Sequence, residues 1–251
     1  MSIENRSKKL EKHIVPILGV KNKLVVFVGT GFIYRFKGNL YLVSASHVFD
    51  ELKKSASGVN IGIPPKIVTI KQNGTYRTVG KSGTGRDCTT DVMASPISKE
   101  NEEYDLIESI AVDNEWIYDS ELTGLSGRML IQGFPSSKNK QPKILNRESR
   151  ILEVVSSSFT TECKEIEYSD YNKCQKEHIA LGIPKVDCDG QVFHSLNGMS
   201  GCPLWMVPEN DDRAFLMGLF TEYKAENELG FATKLRSVEH LITEMEKMPN
   251  K

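Results

Sequence analysis

Hydrophobic positions at the start of the chain follow a helical rhythm. Within residues 4–19, Leu10, Ile14, Ile17 and Leu18 fall at near-helical spacing behind a charged opening, which predicts a short amphipathic helix whose length Pro16 limits. From Lys23 the rhythm changes. The apolar run Leu24-Val25-Val26-Phe27-Val28, the break Gly29-Thr30-Gly31, the run Phe32-Ile33-Tyr34-Arg35-Phe36, the turn Lys37-Gly38-Asn39 and the run Leu40-Tyr41-Leu42-Val43-Ser44 predict a strand, turn, strand, turn, strand meander ending at Ala45-Ser46-His47-Val48. Residues 59–63, 66–71 and 75–79 give short strand candidates, and 81–90 reads as a polar loop. Strand-like runs follow at 128–132, stopped by Gly133-Phe134-Pro135, and at 150–156, whereas 160–178 is charged and broken and predicts a hairpin or insertion. Residues 179–182 lead toward a glycine-rich loop, 202–207 and 214–221 read as strands joined by the turn at 208–212, and 230–235 is the last strand. The pattern then returns to helix: Ser237 is a good N-cap, and Val238, Leu241, Ile242 and Met245 share one face. Many short strands with helices only at the ends indicate an all-β barrel or sandwich. There is no internal repeat and no low-complexity segment.

A chain of 251 residues is long enough to form one large all-β domain or two small halves. Its formal net charge is −1 with Lys and Arg spread throughout, so neither nucleic acid nor an acidic membrane is an expected partner. The opening residues lack the apolar stretch of a signal peptide, and no run of ~18 or more apolar residues follows. Five cysteines, an odd number at irregular spacing, do not read as a disulfide framework, so a reducing, cytoplasmic location is expected. Cys163, Cys174, His178 and Cys188 include a Cys-x₃-His step but no Cys-x₂-Cys knuckle; the expectation is buried or free thiols and no metal.

Candidate chemistry centres on Leu196-Asn197-Gly198-Met199-Ser200-Gly201-Cys202-Pro203. A serine flanked by glycines and closed off by a proline is costly in a helix or strand, and reads as a tight loop that presents a hydroxyl. A serine hydroxyl is a poor nucleophile until a base takes its proton, most often an imidazole oriented by a carboxylate. Of the five histidines, His13, His47, His178, His194 and His240, the distinctive one is His47, where a strand ends in the small residues Ala45 and Ser46.

Together these segments resemble the chymotrypsin-like (trypsin-like) serine peptidases, closest to their compact bacterial and intracellular members. Gly29-Thr30-Gly31-Phe32 followed by Ser44-Ala45-Ser46-His47-Val48 resembles the family's opening segments and its histidine motif. Gly198-Met199-Ser200-Gly201-Cys202-Pro203 resembles the nucleophile loop, and Gly218-Leu219-Phe220-Thr221 and Gly230-Phe231-Ala232-Thr233 the last two inner strands. The resemblance covers about residues 22–245. It implies one peptidase domain over 1–251: an N-terminal helix at 1–21, a six-stranded antiparallel β-barrel at 22–120, a second at 121–235, and a C-terminal helix at 236–251. It implies Ser200 as nucleophile, His47 as base, and backbone N–H groups of Gly198 and Ser200 as the oxyanion hole.

Asp91, in Thr90-Asp91-Val92-Met93-Ala94, resembles the family's acidic segment and is the expected third member, with Asp105 as its rival. His194, Thr221, Glu222 and Tyr223 fall where the family binds substrate, and a peptide would add as an antiparallel strand along 221–223. No buried acid selects Lys or Arg unless Glu222 or Glu228 turns inward. Two departures matter: Met199 stands where zymogen-derived members carry an aspartate, which argues against activation by N-terminal cleavage, and Cys202 replaces a second glycine. The expectation is therefore a serine endopeptidase acting on protein or peptide through an acyl-enzyme, with no cofactor. The alternative is a peptide-binding scaffold on the same fold, catalytically silent or switched on by an activating protein partner.

Overall fold

The computed structural model describes residues 3–21, 24–53, 59–71, 76–77, 90–113, 127–139, 157–168, 177–185, 195–209 and 213–247. Helix α1 covers Ile3–Glu11 only, and the chain then enters strand β1, Ile14–Lys21. The expected helix to residue 19, and the helical segment to residue 21, are thus overturned. Ile14, Val15, Ile17 and Leu18 belong to an unbroken apolar stretch buried on both faces, and such a run produces helix-like spacings by accident. Pro16 lies just before the two-residue ladder that β1 makes with β4 (Asn60–Ile63) through Ile17 and Leu18, a place where a strand tolerates a missing N–H.

Strand β2 runs from Leu24 to Phe36 without the turn expected at Gly29-Thr30-Gly31. Gly29 allows close approach there instead of a bend: a β-carbon on it would stand 2.8 Å from the Val48 side chain. β3 (Asn39–Ser44) follows by a tight turn, then helix α2 (Ser46–Lys53), β5 (Lys66–Thr69), β6 (Tyr76–Arg77), β7 (Met93–Pro96) and a short helix α3 (Tyr104–Ser109). The remaining strands are β8 (Gly127–Gly133), β9 (Phe159–Glu165), β10 (His178–Gly182), β11 (Pro203–Pro208), β12 (Phe215–Lys224) and β13 (Leu229–Lys234), closed by helix α4, Leu235–Glu246. β9 occupies the start of the stretch read as broken; the strand expected at 150–156 lies outside the described residues. Ser237 is not the N-cap of α4, which is Lys234; its hydroxyl donates to the Glu177 carboxylate instead.

The later strands form a closed six-stranded barrel in the order β10-β13-β12-β11-β8-β9. The earlier ones form a seven-stranded sheet, β5-β4-β1-β2-β3-β7-β6. A second closed barrel was expected; among the described residues no ladder closes this sheet. It does curl. Laid flat, seven strands ~4.8 Å apart would hold β5 and β6 roughly 29 Å from each other. The chain joining Thr69 to Tyr76 reaches at most about 25 Å.

The apolar residues divide by strand face. On β2 and β3, Ile33, Leu40 and Leu42 fill the inside of the curled sheet with Val15, Ile17, Val48 and Ile61. Their neighbours Phe32, Tyr34, Tyr41 and Val43 face the other way and pack on Leu130, Trp205 and Leu216 of the barrel and on Val238 and Ile242 of α4. Helix α4 is tied to the curled sheet by Tyr34 and Tyr41, whose hydroxyls donate to Glu239 and Glu246 at 2.6 Å each. Helix α1 is tied to the barrel: the Arg6 guanidinium donates to the Pro208 carbonyl and the Gln132 amide to the Ser7 carbonyl. Among the described residues no helix is long and apolar enough to cross a membrane. Trp205 is the largest side chain in the layer between the sheets and is wholly buried. Trp205→Ala should lower unfolding free energy by about 3–5 kcal/mol in a denaturant titration, and a loss below ~1 kcal/mol would contradict this packing.

Candidate active site

Antiparallel pairing decides where the acid and the histidine meet. β3 pairs with β7 as Ser44↔Met93 and Val43↔Ala94, so the chain just before β7 lies beside the chain just after β3. Those segments carry Asp91 and His47. The Asp91 carboxylate accepts from the His47 ring Nδ1 at 2.5 Å and from the His47 backbone N–H at 3.1 Å, and the Asp91 carbonyl accepts from the Ser46 N–H at 3.4 Å. A carboxylate only accepts, so Nδ1 carries a proton and Nε2 is left as the basic nitrogen, on a ring that is half exposed. Asp105 sits exposed on α3 and makes no contact with His47. Of the other described histidines, His13 and His178 are buried and His240 is exposed on α4; His194 lies outside the described residues.

The pair shifts both its members. The hydrogen bond from Asp91 raises the His47 pKa above the usual imidazole value against the opposing effect of partial burial, helped by the charges of Asp91, Asp50 and Glu51. Burial alone would raise the Asp91 carboxyl; the His47 ring bond and charge, with the His47 and Ser46 backbone N–H groups, outweigh it and hold Asp91 below the ordinary carboxylate range.

Ser200 sits in a loop whose carbonyls are held one after another. Those of Leu196 and Met199 accept from the N–H groups of Met199 and Cys202, that of Asn197 from the Ser136 N–H at 2.6 Å, and that of Gly198 from the Thr30 hydroxyl at 2.8 Å. Among the described residues, nothing accepts from the N–H of Gly198 or of Ser200. Gly198 and Gly201 have φ of 90° and 91°, backbone that disfavours a side chain, and both are crowded. A β-carbon on Gly198 would stand 2.7 Å from the Ser136 nitrogen and from the Phe27 ring; one on Gly201 would run into the Ser44 hydroxyl, the Thr30 carbonyl and the Ala45 nitrogen. The serine loop of the barrel is thus pressed against the chain that leads directly into His47.

Thr30 stands at this junction, wholly buried. Its hydroxyl accepts from the Phe134 N–H at 2.9 Å while donating to the Gly198 carbonyl, and its carbonyl accepts from the Ser44 hydroxyl at 2.6 Å. Removing the hydroxyl would strand a buried donor and acceptor, at about 1–3 kcal/mol each. In the sequence Thr30 reads as a turn residue and Ser44 as part of the segment leading to His47, and nothing local marks Ser136.

The Ser200 hydroxyl donates to the Thr221 carbonyl at 3.2 Å, not to His47. Met199 and Cys202 are wholly buried in the barrel core, where Cys202 lies against Gly133. Burial pushes the Cys202 thiol far up and that of Cys163 to about 12, so neither is a nucleophile near neutral pH. Cys163 and His178 are buried strand residues, and Cys174 and Cys188 lie outside the described residues.

Of the expected substrate contacts, Thr221 is buried and donates to the Phe231 carbonyl, Glu222 pairs with Lys224 at 3.7 Å, and Tyr223 packs on the barrel core. The β11–β12 ladder ends at Pro203↔Leu219, whereas β12–β13 continues to Lys224↔Leu229. Residues 222–224 therefore pair with β13, in the chain just beyond the Thr221 carbonyl that receives the Ser200 hydroxyl.

No protein-family model matches the chain and no curated protein is similar to it, so any role for these residues rests on their geometry. In an NMR titration the His47 ring should take up its proton with a midpoint above ~6.5. Asp91→Asn, which removes the charge that favours imidazolium, should move the midpoint down; an unchanged midpoint would contradict the coupling.

Proposed function

We propose that the chain is a serine endopeptidase of the chymotrypsin-like kind. The observation that supports this reading best is the convergence of three features at one junction: a histidine held by a carboxylate through Nδ1, a serine on a glycine-bounded loop, and two backbone N–H groups of that loop without acceptors among the described residues. The closed barrel, and a first sheet that curls toward a second, agree with that fold. In the proposed mechanism His47 Nε2 takes the Ser200 proton as Oγ attacks the peptide carbonyl, and Asp91 stabilises the imidazolium. The Gly198 and Ser200 N–H groups receive the oxyanion. Imidazolium then protonates the leaving amine, and water, deprotonated by His47, releases the acyl group from Ser200.

A substrate peptide would add as an antiparallel strand along residues 221–223. Glu222 is engaged by Lys224, which disfavours its use as a selector for Lys or Arg, so preference for those residues is not expected. Met199 in the barrel core supports an enzyme that is not matured through a newly cut amino terminus, and buried, unpaired Cys163 and Cys202 agree with a reducing compartment such as the cytoplasm.

One observation favours the second reading, a silent or partner-activated scaffold: the Ser200 hydroxyl donates to the Thr221 carbonyl and not to His47. Such bonds are often made only in the substrate complex. A fluorophosphonate probe separates the readings. Wild type should be labelled, Ser200→Ala should not, Asp91→Asn should react slower by on the order of 10⁴-fold, and Asp105→Asn should match wild type. Wild type that stays unlabelled would contradict the active-enzyme reading. Loss of labelling in Asp105→Asn with Asp91→Asn unaffected would contradict the assignment of the acid.

A further inference from the structure

We propose that Thr30 is a positioning residue that aligns the oxyanion hole on the barrel with the histidine on the curled sheet; this rests on the reading of Ser200 as nucleophile. In a trans peptide the C=O and N–H point in opposite directions. The Ser136 anchor therefore aims the Gly198 N–H, the bond from the Cys202 N–H to the Met199 carbonyl aims that of Ser200, and Thr30 fixes the peptide between them. The Ser136 N–H holds the Asn197 carbonyl, which turns the Gly198 N–H away from the Ser136 turn. The Thr30 hydroxyl holds the Gly198 carbonyl, which turns the Met199 N–H back onto Leu196 and leaves Ser200 as the next residue with an unengaged N–H.

These anchors are linked. The same Thr30 hydroxyl accepts from the Phe134 N–H, two residues before Ser136, so it bridges the 134–136 segment to the 197–198 segment. Without the Thr30 hydroxyl, the bond from the Ser136 N–H would be the one link between these two segments shown by the backbone hydrogen bonds of the described residues. The other end of Thr30 reaches the base: its carbonyl receives the Ser44 hydroxyl, which closes the strand leading into His47. A single buried residue thus touches the chain that carries the base, the loop that carries the nucleophile and the turn that aims the oxyanion donor. A threonine can do this because its hydroxyl donates and accepts at once. Valine has nearly the same shape and can do neither.

The test is burst kinetics with p-nitrophenyl acetate, which reads the acylation rate constant separately from the apparent dissociation constant, together with backbone amide NMR. Thr30→Val should lower the acylation constant on the order of 10²-fold, the cost of a misdirected oxyanion donor, while the dissociation constant stays within about threefold. The amide resonances of Phe134, Gly198 and Ser200 should shift. Thr30→Ser, which keeps the hydroxyl, should restore both readouts. If Thr30→Val does not fold, Ser136→Pro removes the other anchor and carries the same expectation. Acylation and amide resonances unchanged in Thr30→Val, or no rescue by Thr30→Ser, would overturn the proposal. Wild type that is never acylated would defeat the peptidase reading instead, and the amide resonances alone would then decide whether Thr30 holds the loop.

Discussion

The α-carbon of Gly201 lies so close to the Thr30 carbonyl, the Ser44 hydroxyl and the Ala45 nitrogen that no side chain fits between, and this contact sets how near the barrel and the curled sheet can stand. Packed interiors do not deform smoothly, so a fixed contact between two rigid sheets fixes everything mounted on either side of it. His47 is two residues past Ala45 on one side; Ser200 immediately precedes Gly201 on the other. The large apolar layer of Phe32, Tyr34, Trp205, Leu216 and the buried face of α4 supplies the cohesion between the halves. The small residues at the rim supply the register.

Electrostatics at the junction follow from the same arrangement. Asp91 is drawn beside His47 by the β3–β7 ladder, not by attraction between the side chains, so the pair is in place before any proton moves. Its two hydrogen bonds from one residue, through ring and backbone, fix the ring and raise its affinity for a proton. On the barrel side the carbonyls of Leu196 to Met199 are engaged while, among the described residues, nothing accepts from the Gly198 and Ser200 N–H groups, an arrangement that suits an incoming anion better than a neutral group. The Ser200 hydroxyl, satisfied by Thr221, is the element that must change partner for the chemistry proposed.

Much of this was legible in local sequence. The strands β3, β8, β11, β12 and β13 follow from apolar runs between turn residues; His47 and Ser200 stand out in short segments, whereas Asp91 stands out only through the family resemblance, and the β3–β7 ladder brings it beside His47. What failed did so where local pattern and tertiary use diverge. Residues 14–18 have helical spacing because nearly every position there is buried, so period carries no information. Gly29 and Gly31 read as a turn, although a glycine inside a strand also marks close approach, and only the position of Val48 distinguishes the two. Thr30 could not be identified as a bridge because its partners, Phe134 and Gly198, are far along the chain. Ser237 looked like a helix cap but serves Glu177, a long-range bond that no local rule foresees.

The claim that these residues cut peptides is tested most directly by exposing a library of peptides drawn from a whole proteome to the purified protein and sequencing the new amino termini by mass spectrometry. The account predicts new termini in the presence of wild type, with no enrichment for Lys or Arg before the cut, and none in the presence of Ser200→Ala. New termini that persist undiminished in Ser200→Ala, or a wild type that yields none, would contradict it.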